Sequence, residues 1–170
     1  MRAKRDGKHS SAGEKVKLTI MAADEQTRRV QEAVARRAFE IFERGGSTPW
    51  HELEDWRQAE RELASPLCYG RMAVGDSLWV GADVAAFSEG TVEIWVAPRK
   101  ITICGKPRLD GVDAHRKNVG PGPEIIFHVL DLSVEVDPSH VTAKFNGSSL
   151  EILLRRAPGK PRQETQAVAA

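Results

Sequence analysis

The sequence lacks several features that mark particular classes of protein. Only two of its 170 residues are cysteine, Cys68 and Cys104, so a disulfide framework is excluded and the cytoplasm is the expected compartment. The formal net charge is +1. Because positive and negative charges nearly cancel, the chain has no overall electrostatic field that would attract nucleic acid or a membrane. No apolar run reaches the length of about 18 residues that a transmembrane helix needs. The basic N-terminus is not followed by the apolar stretch of a secretory signal, so none is expected.

Residues that carry catalysis or bind metals are present but scattered. None of the five histidines has metal-ligand spacing to a cysteine. The segment 110–113 lacks the ligand series of a calcium loop, and Gly105-Lys106 lacks the upstream glycine of a phosphate-binding loop. The sequence therefore predicts no enzyme, no metal site and no cofactor.

Composition divides the chain into a part that can form a hydrophobic core and three polar segments. Hydrophobic residues make up 41% and charged residues 29%, which allows a sizeable core. Residues 1–26 are polar and basic, and we expect a disordered arm there. The segment 65–76 contains Ser-Pro and two glycines and is predicted to be a linker. The polar tail 158–170 is also expected to be disordered.

Residues 27–64 have the pattern of a helical hairpin. Apolar residues recur at helical spacing from Val34 to Phe42. Gly45 and its neighbouring glycine end this helix, and Thr48, followed by proline, is the expected N-cap of the next. Two helices of this length are marginal alone in water, so their apolar side chains need a partner surface.

The hairpin carries four of the ten aromatic residues of the chain. Two interpretations stay open at this point. The rings dock on a second copy or on another protein, or they close the hairpin and cap the sheet of their own chain. The residues of the expected hairpin docking surface are Phe39, Phe42, Trp50 and Trp56.

The same segment resembles a small bacterial domain of uncharacterised function. That family shows Arg-Arg-Ala-Tyr-Glu-Ile-Tyr, a glycine turn, and then Asp-Trp-x-x-Ala-Glu. Here residues 36–42 read RRAFEIF, and residues 55–60 read DWRQAE. The resemblance covers about 35 residues, which is the length of a small unit of two helices. It implies no activity.

Between residues 77 and 157, apolar residues recur at every second position instead of at helical spacing. Short alternating runs, separated by turn residues, predict a mainly β fold, an immunoglobulin-like antiparallel β-sandwich that follows the helical hairpin. Residues 141–145 and 150–154 alternate around a polar turn at Asn146-Gly147. Because the turn is short, these two strands should be neighbours.

Several motifs in this half resemble the α-crystallin domain of small heat-shock proteins. The run 82–87, ADVAAF, resembles the Ala-Asp-Leu-Pro-Gly-Phe of the family, and 101–106, ITICGK, resembles its Leu-Thr-Ile-Ser-Gly-Glu/Lys. Residues 132–150 keep most of its Leu-Pro-x-x-Val-Asp and Ala-x-x-x-Asn-Gly-x-Leu pattern. Ser133 replaces the usual proline, and the Asn-Gly pair sits one residue early. The resemblance spans about residues 71–157.

The resemblance implies a bacterial holdase, a chaperone that binds unfolding client proteins without ATP, takes part in the stress response and self-associates as a dimer or larger. In that family a groove between the strands matching 91–96 and 140–145 accepts apolar segments. We expect most apolar residues of these strands in the core and a minority in the groove. The candidates are Val92, Ile94, Val96, Val141, Ala143, Phe145, Leu150 and Ile152.

An alternative from another class is an adaptor module that docks one folded partner through the hairpin. Two departures from the family favour it. The loop 106–123 has little β-prone sequence from which a partner-crossing strand would form. The tail also lacks the Ile-x-Ile anchor of oligomeric relatives.

Overall fold

The computed structural model describes residues 16–46, 50–64, 69–88, 90–108 and 122–159. Within them no helix is long and apolar enough to cross a membrane. The helices and strands of the described part follow in chain order. They are β1 (Lys17–Ile20), α1 (Ala23–Arg44), α2 (Glu52–Leu63), β2 (Tyr69–Val74), β3 (Ser77–Asp83), β4 (Glu93–Ala97), β5 (Lys100–Gly105), β6 (Ile126–Asp131), β7 (Val136–Asn146) and β8 (Ser149–Arg156).

The strands form two four-stranded sheets that pack face to face. One has the order β1-β4-β5-β6 and the other β2-β3-β8-β7. Every pairing between these strands is antiparallel except that of β1 with β4. The predicted fold class, a β-sandwich preceded by a helical hairpin, is confirmed. The two strands around the Asn146 turn, β7 and β8, are neighbours as predicted.

The core between the sheets follows from the period-two pattern. Leu78 and Val80 of β3 point inward and lie opposite Leu154 and Ile152 of β8. Successive strand residues face opposite sides, so each alternating run delivers its apolar set to one face. Burying such a side chain stabilises the fold by about 1.5–3 kcal/mol.

The hairpin packs against the outer face of the first sheet. The apolar stripe of α1, from Val34 to Ile41, and Leu63 of α2 share a core cluster with Trp95 and Phe127 of the sheet. The stripe therefore covers the chain's own sheet. The two interpretations that the sequence left open concern the four aromatic rings, of which Trp56 packs partly against this cluster. We call the first sheet the covered sheet, and we call the sheet β2-β3-β8-β7 the open sheet.

Two polar side chains fix the position of α1. Gln26 is fully buried; its amide donates to the carbonyl of Met21 (2.9 Å) and accepts from the hydroxyl of Thr102 on β5 (2.8 Å). Arg37 is buried and forms ion pairs with Glu40 (2.7 Å) and with Glu62 of α2 (2.6 Å). Buried polar groups of this kind need partners, and both have them.

The structure corrects two of the expected boundaries. β1 and the start of α1 lie inside the segment 1–26 that was expected to be a disordered arm. β2 lies inside the expected linker 65–76. β1 is ordered by pairing with β4, which lies far along the chain and which the local pattern does not indicate. β2 is ordered by pairing with β3, the next strand of the chain. Residues 1–15, 47–49 with the expected N-cap Thr48, 109–121 and 160–170 lie outside the described part.

Candidate functional site

Most of the residues proposed for the groove lie in the sandwich core. Ile94, Leu150 and Ile152 are 0% exposed, and Val92 and Val96 are also buried. They point between the sheets, where the alternation of β4 and β8 directs them. These five side chains therefore lie in the core, as was expected for most of the eight candidates, and not in an accessible groove.

The other three candidates lie at the margin of the sandwich. Val141, Ala143 and Phe145 are half-buried on β7 and pack against the edge of the core. β7 contacts β4 across the sandwich, as the predicted groove requires. However, β1 also contacts β7 and lies beside β4. A segment of the chain itself therefore occupies the edge where the groove was expected.

β1 is bound to β4 by backbone and side-chain contacts. Its register runs from Lys17 opposite Glu93 to Ile20 opposite Val96. The Lys17 ammonium lies 3.0 Å from one carboxylate oxygen of Glu93, and the Thr19 hydroxyl donates to the other at 2.8 Å. Burial raises the pKa of Glu93, but the hydrogen bonds from Lys17 and Thr19 outweigh it and hold the pKa below its ordinary value.

The hairpin docking residues divide between a groove and the solvent. Phe39, Phe42 and Trp56 line a groove of about 320 Å³, together with the carboxylate residues Glu52 and Asp55. Phe39 is exposed, and the rings of Phe39 and Phe42 lie 6.5 Å apart. The structure thus brings three of the four predicted residues together on one apolar surface with an acidic rim.

The fourth residue, Trp50, stands apart from this groove. Its side chain is 92% exposed. Its φ of 82° places it in the left-handed region that aromatic residues rarely adopt. Backbone conformations of this kind are more frequent at functional sites than elsewhere.

The sequence reasoning missed an apolar surface on the open sheet. Met72 of β2, Trp79 of β3 and Leu153 of β8 are cross-strand neighbours on its outer face. Met72 and Leu153 are exposed, and Trp79 is half-buried. We call these three residues the Trp79 row. No described element covers them, in contrast to the outer face of the covered sheet.

Glycine shapes this surface. The Trp79 indole lies directly over Gly81, where any added Cβ would overlap the ring. The tight turn at Gly75, with φ 56°, joins β2 to β3. The dipeptide Gly75-Asp76 is typical of a tight β-hairpin turn, and it could have predicted β2 from the sequence. All six residues of β2 are exposed, and β3 is its only neighbour among the described strands.

The described residues hold little reactive chemistry. No three metal-ligating side chains come together among them. Burial raises the pKa of the Cys104 thiol to about 12, which leaves it protonated and unreactive near neutral pH.

One exposed cluster resembles a catalytic triad in residue type only. Nδ1 of His140 contacts both Asp137 (2.6 Å) and the hydroxyl of Ser139 (3.1 Å). A relay needs two different ring nitrogens for these two partners. The hydroxyl and amide of Ser139 also donate to Asp137. The cluster is therefore a hydrogen-bonded turn.

Comparison with known proteins gives two findings. Residues 29–65 match the family described as a protein of unknown function, DUF2934, which confirms the predicted resemblance of the helical segment to an uncharacterised domain. No curated protein matches the chain.

The second finding concerns solved structures, among which small heat-shock proteins are similar to this chain. Heat shock protein 16.0 from Schizosaccharomyces pombe is 12% identical over 61% of this chain and 75% of its own, with a TM-score of 0.44. A mutant of hsp14.1 from Sulfolobus solfatataricus P2 is 20% identical over 72% and 98%, with a TM-score of 0.46. A small heat-shock protein from Xylella fastidiosa is 16% identical over 58% and 94%, with a TM-score of 0.44.

Proposed function

We propose that this chain is an ATP-independent holdase that binds non-native proteins through exposed apolar surface and so competes with their aggregation. The observation that carries the proposal is the outer face of the open sheet, which none of the described helices or strands covers. The Trp79 row presents three large apolar side chains there, and the exposed strand β2 borders it. Unpartnered apolar surface on a folded domain is typical of an interaction site.

The two features suit an extended non-native segment. The outer edge of β2, which pairs with no other described strand, offers backbone donors and acceptors to one more strand. The Trp79 row offers apolar contact beside that edge. Each buried Leu- or Met-sized side chain contributes about 1.5–3 kcal/mol, and association costs about 4–15 kcal/mol in lost translational and rotational freedom. The surplus from a few such contacts is small, so binding is reversible without ATP.

The proposal extends to partners and compartment. The clients are unfolding proteins in the bacterial cytoplasm, and the chain self-associates as a dimer or larger. Its role is protective during stress, without catalysis, cofactor, nucleic acid or membrane. The formal net charge of +1 and the two cysteines support this setting. The expectation that neither the loop 106–123 nor a tail anchor mediates assembly stays a prediction.

Aggregation of a heat-labile test protein, followed by light scattering without ATP, tests the proposal. The variant Met72→Ser/Leu153→Ser removes two apolar residues from the Trp79 row, and Val129→Ser removes from the covered sheet one apolar residue that is as exposed as Leu153. The wild type and Val129→Ser should suppress scattering, and the double variant should lose most suppression. Surface changes of this kind alter stability by only about 0.5 kcal/mol each. Equal suppression by all three would refute the assignment to the Trp79 row.

A second candidate function is an adaptor that docks one folded partner through the hairpin. The observation that favours it is the groove of about 320 Å³ with aromatic walls and the acidic rim of Glu52 and Asp55. Aromatic residues in a pocket are the usual energetic centre of specific interfaces. The acidic rim is complementary to a partner segment in which basic residues flank an apolar side chain.

Mass and dye binding separate the two functions. A holdase should exist as a dimer or larger by light scattering after gel filtration, and should bind a hydrophobic dye increasingly on warming. An adaptor should stay monomeric, and its partner complex should have a fixed stoichiometry that Phe39→Ser abolishes. Phe39 is exposed, so the substitution leaves the core intact.

A further inference from the structure

The groove on the hairpin has three aromatic walls and a small residue between them. Phe39 and Phe42 of α1 form one side, Trp56 of α2 forms the other, and the buried Ala38 lies deepest among the lining residues. Because alanine is small, space remains between the larger rings, and the groove has a volume of about 320 Å³. This volume lies at the lower end of the range of small-molecule pockets, about 300–1,000 Å³.

The aromatic walls offer ring surface and no hydrogen-bond acceptor. Phenylalanine has no polar side-chain atom, and the indole Nε1 of Trp56 donates to Glu60 of the same helix at 2.9 Å. The faces of aromatic rings carry partial negative charge and therefore attract cations. A group held between these walls gains apolar contact and attraction for a positive charge, but any N–H that it carries finds no acceptor there.

Two carboxylates supply the rim of the groove. Glu52 and Asp55 lie in the first turn of α2, on the same helix face as Trp56. Among the described residues neither carboxylate forms an ion pair or a hydrogen bond, whereas Glu54 beside them contacts His51 at 3.2 Å. Acidic residues in a first turn complement the helix dipole, which accounts for their charge. It does not account for three aromatic side chains beside them.

We infer that this groove is a binding site for an alkylated ammonium group carried by a small molecule. A quaternary ammonium has no N–H donor, so aromatic walls leave none of its groups unsatisfied. A primary ammonium has three donors and a guanidinium five, and the walls accept from none of them. Quaternary ammonium groups are the usual ligands of aromatic cages. The carboxylates at the rim add attraction for the positive charge.

The inference goes beyond the holdase proposal and does not rest on it. The groove lies on the hairpin, which packs over the covered sheet, whereas the Trp79 row lies on the open sheet. Suppression of aggregation and binding of an ammonium compound are measured separately, so either can fail without the other. The inference concerns the same groove as the adaptor candidate and specifies the chemical group that the groove accepts.

Titration of the full chain with choline chloride tests the inference. Proton NMR follows the methyl groups of choline, because protons held against a ring face shift upfield and so report contact with the rings. The control compound is the neutral analogue of choline in which carbon replaces the ammonium nitrogen. Choline should bind at least about fivefold more tightly than this analogue, since a charge pair contributes about that factor even in water. Added sodium chloride should weaken choline binding.

Matched substitutions at exposed positions assign the binding to the groove. Glu52→Gln should weaken choline binding about fivefold, and Glu54→Gln, which removes the same charge from the same turn outside the groove, should weaken it far less. Phe39→Leu keeps an apolar side chain but removes a ring, and should weaken binding about two- to fivefold. Trp50→Leu removes an exposed ring outside the groove and should have no effect. Equal effects within either pair would overturn the inference.

A peptide that carries trimethyllysine distinguishes the source of the ammonium group. Choline that binds as tightly as the peptide supports a free small molecule. A peptide that binds much more tightly would overturn this source and assign the same chemistry to a modified lysine of a partner protein. Equal affinity for choline and its neutral analogue, or no upfield shift at any choline concentration while circular dichroism shows a folded chain, would overturn the inference altogether.

Discussion

Ile152 offers the sharpest test of how the sandwich core is assigned. It is 0% exposed and lies in the centre of β8, opposite Val80 and Ala143. Ile152→Ala removes three side-chain carbons, each worth about 0.8 kcal/mol, or about 2.4 kcal/mol of transfer free energy. The cavity left between two hydrogen-bonded sheets can collapse only in part, which brings the expected loss to about 3–4 kcal/mol. Urea denaturation followed by circular dichroism measures this loss as a shift of the midpoint.

The neighbouring residue provides the control. Leu153 is 42% exposed on the opposite face of the same strand, so Leu153→Ala should lower the free energy of unfolding by less than about 1 kcal/mol. The slope of the urea transition should be similar in all variants, since the surface exposed on unfolding hardly changes. A loss below about 1 kcal/mol at Ile152, or equal losses at both positions, would refute the inward orientation of Ile152.

Three further predictions concern charged and titratable groups. Arg37→Ala should lower the free energy of unfolding by about 2–4 kcal/mol, less than for a fully buried pair because Glu40 and Glu62 are partly exposed, and a drop in Tm checks this. Hydrogen bonds from the Ser139 hydroxyl and amide, and then His140, lower the pKa of Asp137 from 3.8 to about 2. As the pH falls, Asp137 therefore takes up its proton at a higher pH in the unfolded chain than in the folded chain. The stabilisation of the fold by the Asp137 carboxylate is present above about pH 4 and is lost towards pH 2. Urea midpoints should show Asp137→Asn to be less stable than the wild type at pH 6 and equal to it near pH 2. In a Cys68→Ala background, a thiol reagent at pH 8 should not label Cys104 of the folded chain, because burial raises the pKa of its thiol to about 12. The same reagent should label Cys104 in urea. Rapid labelling of the folded chain would contradict this prediction.

Period-two alternation was sufficient to predict the sandwich, because an inward-facing side chain on a strand must be apolar. It could not distinguish core from groove. Ile94 and Phe145 belong to equally alternating runs, yet the first is fully buried and the second lies half-buried at the margin. That difference depends on which strand ends a sheet, and sheet order is set by pairings between distant parts of the chain.

The N-terminal strand shows the same limit more clearly. Lys17–Ile20 is a short apolar alternation in a polar segment, and its partner Glu93–Ala97 lies far along the chain. Nothing local requires the pairing, so the local pattern indicates disorder. For the hairpin, the helical stripe correctly predicted an apolar face around Val34, but not that this face covers the sheet while Phe39 points to solvent.

The proposed function requires the folded chain to hold non-native proteins without ATP. The most direct measurement is light scattering of a heat-labile test protein titrated with the chain, with circular dichroism confirming that the chain stays folded at the assay temperature. Scattering should fall steadily and be largely suppressed near equal molar amounts, with no effect of added ATP. Unchanged scattering over the whole titration, with the chain folded, would contradict the holdase proposal and leave the adaptor as the better account.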